Sequence, residues 1–393
     1  MNNSRSVNKI KKENCCGCHA CYNICPQLAI NMIADKEGFL YPSVSAEKCV
    51  NCGKCLNICP NVVHPPLNFG DKSYACYAKN YEEHLGSSSG GIFSVLARRF
   101  LAEEGVIFGA AFNEKMEVEH IGISKTEDLF KLKGTKYVQS RIGKSYAYVR
   151  EALLKGKKVL FSGTPCQVAG LKAYLGEDYE NLLSIDLICH GVPSPAVWKR
   201  YLNECFGEDN VSAMQFRNKR KGISKVTMDY TLKSGEVIHE SYNESLYIKG
   251  FIGNFYTRPS CFRCNFKGIG RCSDITIGDF WSAREFHSEM NDSYGISGII
   301  VHTEKGKRWL ESVKNQLILC DAQASEIAVW NECLLESVKE NQYRRMFFEG
   351  WTQLTVAETI SELSKRKKSM ESNNKKKRKF QNWIAGTIKK WLV

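Results

Sequence analysis

No uninterrupted apolar run in this 393-residue chain approaches the length needed to cross a bilayer. The opening residues, MNNSRSVNKIKKEN, also lack the hydrophobic core of a signal peptide. Both absences argue against a helical membrane protein and lead us to expect a cytoplasmic one, or one peripheral at the inner face of the membrane. No nucleic-acid recognition module is recognisable despite a formal charge of +13, so nucleic acid is not an expected partner. The charge is local. Residues 365–393 hold 11 Lys/Arg against one acid, Glu371, while the remainder holds 44 bases and 41 acids. Disorder is excluded by composition, with 43% apolar and 11% aromatic residues.

Cysteine is what the chain has in excess. Eighteen cysteines would form a disulfide framework in a small secreted domain, but in a chain of this length without a signal peptide they point to metal or redox chemistry. Half of them precede residue 60, in an internal repeat: CCGCHACYNICP at 15–26 recurs as CVNCGKCLNICP at 49–60, offset by 34 residues. Each copy reads C-x2-C-x2-C-x3-C-P, the run of a two-cluster ferredoxin, in which the fourth cysteine of each run ligates the other cluster. One [4Fe–4S] cluster is then expected on Cys15, Cys18, Cys21 and Cys59, and the other on Cys49, Cys52, Cys55 and Cys25. A zinc-binding repeat is the competing reading, but zinc sites rarely use such closely spaced tandem sets. Cys16 falls outside the pattern and reads as a bystander.

Beyond a Pro/Asn/Gly linker at 61–70, short apolar runs alternate with amphipathic stretches, the pattern of an α/β body. The expected architecture is an α+β ferredoxin-like N-terminal domain over 1–66. An α/β body with a largely parallel or mixed sheet follows over 72–350, divided near 155, and then a basic helical C-terminal tail over 351–393. In the body, KKVLFSGTPCQVAGLK places Cys166 at a helix start, where the helix dipole favours a thiolate. NLLSIDLICHGVPSP ends a second strand at Cys189 and His190. If the two strands are neighbours, both cysteines face one crevice at the carboxyl edge of the sheet. Cys261 and Cys264 in SCFRC would complete four ligands. A third [4Fe–4S] cluster, a structural zinc and a metal-free reactive Cys166 are the three readings of this set, and Cys272 stands fifth as a ligand. Cys76, Cys205, Cys320 and Cys333 read as buried packing residues.

GTPCQVAGLK, DLICHGVPSP, RPSCFRCNFKG and RCSDITIGDFW, with SSSGGIFSVLA at 87–97, KGTKYVQS at 133–140 and GISGIIVHTEKG at 295–306, together resemble the family of coenzyme F420 hydrogenase and dehydrogenase β subunits. The resemblance spans roughly 72–320 and implies FAD beside a [4Fe–4S] cluster, with hydride exchanged between flavin and a small-molecule or deazaflavin substrate. Cys272 directly before SDIT is a departure that bears on the fourth ligand. Many similar proteins look unable to use the coenzyme that names the family.

For the flavin, Ser87, Ser89, Gly90 and Gly91 open a helix and would let backbone N–H groups approach a diphosphate; an ordinary Ser-capped helix start is the alternative. The stretch is neither G-x-G-x-x-G nor a P-loop. Lys133, Lys136 and Tyr137 would neutralise phosphates and stack on a ring, or form a solvated basic turn. No side chain is obliged to act as acid or base, because the flavin carries the chemistry. His190, as a proton relay or a strand-end cap, and Asp279, as a substrate contact or an Asx-turn, are the catalytic candidates. In the tail, FQNWIAGTIKKWLV has the spacing of a basic amphipathic helix for an anionic membrane or a partner protein. The expected function is an oxygen-sensitive iron–sulfur flavoprotein oxidoreductase exchanging electrons with an external one-electron donor or acceptor. The alternative is a non-catalytic electron-transfer subunit serving a partner enzyme, for instance in cell-envelope polysaccharide synthesis.

Overall fold

A computed structural model of the chain describes residues 5–70, 72–290, 292–351 and 353–370. The amphipathic stretch at 380–393 lies outside them. Among the described residues, no helix is long and apolar enough to cross a membrane.

The N-terminal module is small. Strands β1 (Ile30–Ala34) and β2 (Leu40–Val44) form an antiparallel pair, and two short helices, Ala20–Ile24 and Lys54–Asn57, pack together beside it. The sequence repeat is also a backbone repeat. Gly17 and Asn51 have φ of 68° and 53°, and His19 and Gly53 have φ of 61° and 76°, at equivalent places in the two cysteine loops. Two left-handed residues per loop coil it tightly enough to turn three thiols toward one point.

The body is built on an eight-stranded sheet. Its strands are β3 (Lys72–Ala78), β4 (Val106–Phe112), β5 (Val118–Ile123), β6 (Val159–Gly163), β7 (Leu182–Leu187), β11 (Ile275–Asp279), β12 (Ser297–Val301) and β13 (Leu317–Ala322), in the order β13-β3-β12-β11-β7-β6-β4-β5. β4, β6, β7 and β11 run parallel and the flanking strands antiparallel, so the sheet is mixed. β6 and β7 carry near-continuous apolar runs because both faces are covered. Leu160, Leu183 and Ile185 pack with helix Ile92–Ala102 on one face, whereas Val159, Phe161 and Leu182 pack with helices Ser145–Leu154 and Pro165–Leu175 on the other. Cys18 and Ala20 join this second cluster, so the N-terminal module shares a core with the body.

A second sheet, β8 (Val211–Asn218), β9 (Thr227–Leu232) and β10 (Val237–Ser241), is antiparallel. It shares an aromatic core with helices Pro195–Phe206, Leu246–Ile252 and Gln342–Gly350. Helical residues 356–370 bury Val356, Ile360 and Leu363 in the same core, so this part of the expected tail is integral to the body.

Candidate iron–sulfur and flavin sites

Thiols converge at three cavities among the described residues. Cys15, Cys18, Cys21 and Cys59 line the first, with Cys16 beside them. Cys25, Cys49, Cys52 and Cys55 line the second. Cys166, Cys189, Cys261 and Cys264 line the third, together with Cys16, Cys333 and Arg271.

The third cavity follows from strand adjacency. β6 and β7 are parallel neighbours, with Gly163 opposite Asp186, so the segments carrying Cys166 and Cys189 leave the sheet at one edge. Thr164 caps helix Pro165–Leu175 in a capping box, with Gln167 Oε1 accepting from the Thr164 N–H at 2.9 Å, and Pro165 occupies the first turn, where its missing N–H costs nothing. Cys166 is thereby held at the helix start, its Sγ 3.2 Å from Thr164 Oγ1. The turn Pro259–Arg263 brings Cys261 and Cys264 alongside; Cys261 N–H donates to the Arg258 carbonyl and Cys264 N–H to Ser337 Oγ.

Burial pushes the thiols of Cys189 and Cys264 up, and that of Cys261 up to about 12; Cys166 is raised first by its hydrogen bond with Cys16 and then by burial. Thiolates at such positions need cationic ligation. The surrounding protein is cationic too. Lys267 Nζ donates to the Cys189 and Cys333 carbonyls, and the buried Arg271 has an Nη1 with no hydrogen-bond partner. Four sulfurs under an unpartnered guanidinium nitrogen suit an anionic thiolate-ligated cluster.

Cys16 is no bystander. It lines both the first and the third cavity, accepts from Asn61 Nδ2 at 3.4 Å and hydrogen-bonds Cys166. Two consecutive residues, Cys15 and Cys16, thus form a wall between the cavities. Arg258 closes the same wall and is fully buried. It donates to the Cys15 carbonyl at 2.8 Å, Gln139 Oε1 at 2.9 Å, the Leu40 carbonyl at 3.0 Å and Cys15 Sγ at 3.8 Å, and lies over the Tyr41 ring. Its acceptors are neutral groups and a thiol rather than a carboxylate.

The remaining cysteines divide. Cys272 belongs to the apolar cluster with Cys18, Phe161 and Phe266 rather than to the lining of the third cavity. Cys76 is buried as expected for packing, but Cys205 is exposed, Cys333 lines the third cavity, and Cys320 is half-buried beside His287 and Glu289. Single cysteines on amphipathic elements gave no sign of which face they occupy.

The residues read for a flavin are brought together in two adjoining segments. Thr135 N–H donates to Ser88 Oγ at 2.7 Å, joining 133–137 to 87–91. Gly90 approaches β3 so closely that a Cβ would lie 2.2 Å from the Cys76 carbonyl, and Gly91 has φ of 92°. Ser87 Oγ donates to the Glu83 carbonyl and Ser89 Oγ to the Ile296 carbonyl, so both hydroxyls have partners. Lys133 pairs with Glu83 at 3.2 Å, Lys136 donates to the carbonyls of residues 131 and 133, and the Tyr137 ring packs on Phe216 and Phe251. Local pattern gave no sign of Arg217 and Lys219, which the fold brings to this region. Lys219 is fully buried and donates to the Ser89 carbonyl; burial, with Arg217 nearby, pushes its ammonium down to about 7. Arg217 pairs with Asp279 at 2.7 Å, which accounts for that carboxylate. His190 lines the third cavity and hydrogen-bonds Asn254 at 2.9 Å; burial pushes its pKa down.

Comparison with known proteins follows this geometry. The family model for the C terminus of the coenzyme F420 hydrogenase/dehydrogenase beta subunit matches residues 156–326, and the 4Fe-4S dicluster domain matches residues 14–63. The chain is 24% identical over 331 residues to a subunit of the F(420)H(2) dehydrogenase of Methanosarcina mazei, covering 78% of this chain and 84% of that one. It is 25% identical over 295 residues to the coenzyme F420-dependent sulfite reductase of Methanocaldococcus jannaschii, covering 70% of this chain but only 42% of that protein. A chain of the F420-reducing [NiFe] hydrogenase complex from Methanosarcina barkeri superposes with a TM-score of 0.47 at 16% identity, over 69% of this chain and 90% of that one. The chain therefore carries the C-terminal domain of the coenzyme F420 hydrogenase/dehydrogenase beta-subunit type and belongs to that family, with a 4Fe–4S dicluster domain joined at its N-terminal end.

Proposed function

We propose that this chain is an iron–sulfur flavoprotein oxidoreductase acting on a small molecule or a deazaflavin of the coenzyme F420 type. In this reading the dicluster module (1–66) holds two [4Fe–4S] clusters, one on Cys15, Cys18, Cys21 and Cys59 and one on Cys25, Cys49, Cys52 and Cys55. The body (72–350) holds a third on Cys166, Cys189, Cys261 and Cys264. The observation that carries the proposal is the third cavity: four thiols from three separate segments converge there, and the cavity shares the Cys15–Cys16 wall with the dicluster module. Clusters at these places would supply one-electron steps and a flavin the two-electron step.

The chain's own residues position and tune. Arg271 and Lys267 offset negative charge at the third cavity, while Arg258 and Cys16 hold the first and third cavities side by side. Ser87, Ser89, Gly90, Gly91, Lys133, Lys136 and Tyr137, joined by Arg217 and Lys219, form the cationic, glycine-lined region we assign to the flavin. Lys219 in particular is an ammonium held in the interior by a neutral carbonyl, which suits an anionic ligand group nearby.

A second reading, an electron carrier without its own substrate, is favoured by the relative that is itself one part of a dehydrogenase. Anaerobically purified protein assayed for bound flavin, and for turnover between a reduced deazaflavin and a viologen, separates the two. Substoichiometric flavin and no turnover, with clusters still exchanging electrons with viologen, supports the carrier. One flavin per chain, and turnover lost in Cys189→Ser, supports the oxidoreductase.

A further inference from the structure

Away from the three thiol cavities, β13 meets the end of helix Ala283–Phe286 and helix Ala324–Ala328. None of the residues concerned lines those cavities. Cys320 Sγ lies 3.0 Å from Glu289 Oε1 and 3.5 Å from His287 Nδ1, and Nδ1 lies 3.6 Å from Glu289 Oε1. We infer that Cys320, His287 and Glu289 form a mononuclear site for a divalent ion of the Zn2+ class, separate from the iron–sulfur chemistry.

Bond lengths of about 2.3 Å to sulfur and about 2.0–2.2 Å to nitrogen and oxygen place the ligand atoms of a tetrahedral zinc roughly 3.3–3.6 Å apart. The three separations here bracket that range, so one ion fits between these side chains with little movement. Thiolate, imidazole and carboxylate together match a borderline-soft cation, and two anionic ligands balance its charge. Three protein ligands leave a fourth position for water, and Glu289 on the exposed side opens that position to solvent.

The imidazole is oriented for this task. His287 Nε2 faces Glu326 Oε2 at 2.9 Å, the carboxylate–histidine arrangement that turns the other ring nitrogen toward a metal. His287 itself is fixed by its N–H to the Ala283 carbonyl at 2.7 Å, and Cys320 by its place opposite Ala75 in the β13–β3 ladder. The sequence separation of 33 residues between Cys320 and His287 hides the site from any spacing rule.

Cobalt(II) is the probe, titrated anaerobically into cluster-loaded protein whose iron content and cluster absorption are unchanged by the variants. The expected result is one Co(II) per chain with visible ligand-field bands and a thiolate-to-metal charge-transfer band, abolished in Cys320→Ser and competed by Zn2+. Should Cys320→Ser fail to accumulate, Glu326→Gln provides the second variant, with affinity lowered about 10–100-fold. A wild-type spectrum lacking the thiolate band, or a band retained in Cys320→Ser, would overturn the site and leave an ordinary hydrogen-bonded trio. Equal affinity in Glu326→Gln would do the same for the imidazole's role.

Discussion

Arg258 is a fully buried guanidinium whose contacts belong to the dicluster module (Cys15, Leu40, Tyr41) and to the body (Gln139) at once. A buried cation without a carboxylate is costly unless an anion stands near it, and cluster-bound Cys15 is that anion. The positive charge and the hydrogen bond to sulfur then favour the reduced state. Arg258→Gln should lower the potential of one cluster by roughly 60 mV, a tenfold change for a one-electron couple, with Arg258→Lys recovering part of it. Electron-paramagnetic-resonance redox titration reads this directly, and identical titrations for wild type and Arg258→Gln would remove Arg258 from the account. Such residues were illegible beforehand for a plain reason: Arg258 lies 243 positions from Cys15, and local pattern is silent on so distant a partner. Lys219 gives a pH test. Its ammonium is pushed down to about 7 by burial, from an ordinary value of 10.5, so above about pH 7 the unfolded chain binds more protons than the folded one. Wild-type stability should therefore gain on Lys219→Met as pH rises from about 7 to about 9. A thermal-denaturation difference that stays flat across that window contradicts the burial argument.

Elements were read best where physics is local. The duplicated cysteine run fixed the loops of the N-terminal module, and the apolar runs before Gly163 and Cys189 became the two strands that bring Cys166 and Cys189 to one edge. Which strands flank them, and the antiparallel turn of β12, β3 and β13, depend on non-local pairing that no window of sequence displays. The helix bearing Cys166 is set by its cap, so Thr164→Ala should cost about 1 kcal/mol in chemical denaturation, while Thr164→Ser should stay near wild type. The same helix presents Gly170 to the module: a Cβ there would lie 2.9 Å from Cys18 Cβ and 3.0 Å from its Sγ. Gly170→Ala should destabilise by about 1–3 kcal/mol through overpacking and alter the spectrum of the first cluster. An unperturbed spectrum would mean that the module does not sit against this helix.

At the scale of the molecule, the arrangement reads as a line: second cavity, first cavity, third cavity, with helices Ala20–Ile24 and Lys54–Asn57 packed together at one step and Cys15–Cys16 forming the wall at the other. The region assigned to the flavin lies on the body, reached by residues of β8 that the sequence offered only as an ordinary basic stretch. The central claim is that the body holds a cluster of its own. Iron determination on anaerobically purified protein, wild type beside a Cys189→Ser, Cys261→Ser double variant, tests it most directly. The account predicts about 12 irons per chain in the wild type and about 8 in the variant, four for each [4Fe–4S] unit. About 8 irons in both proteins would contradict it, leaving a dicluster module attached to a body without iron.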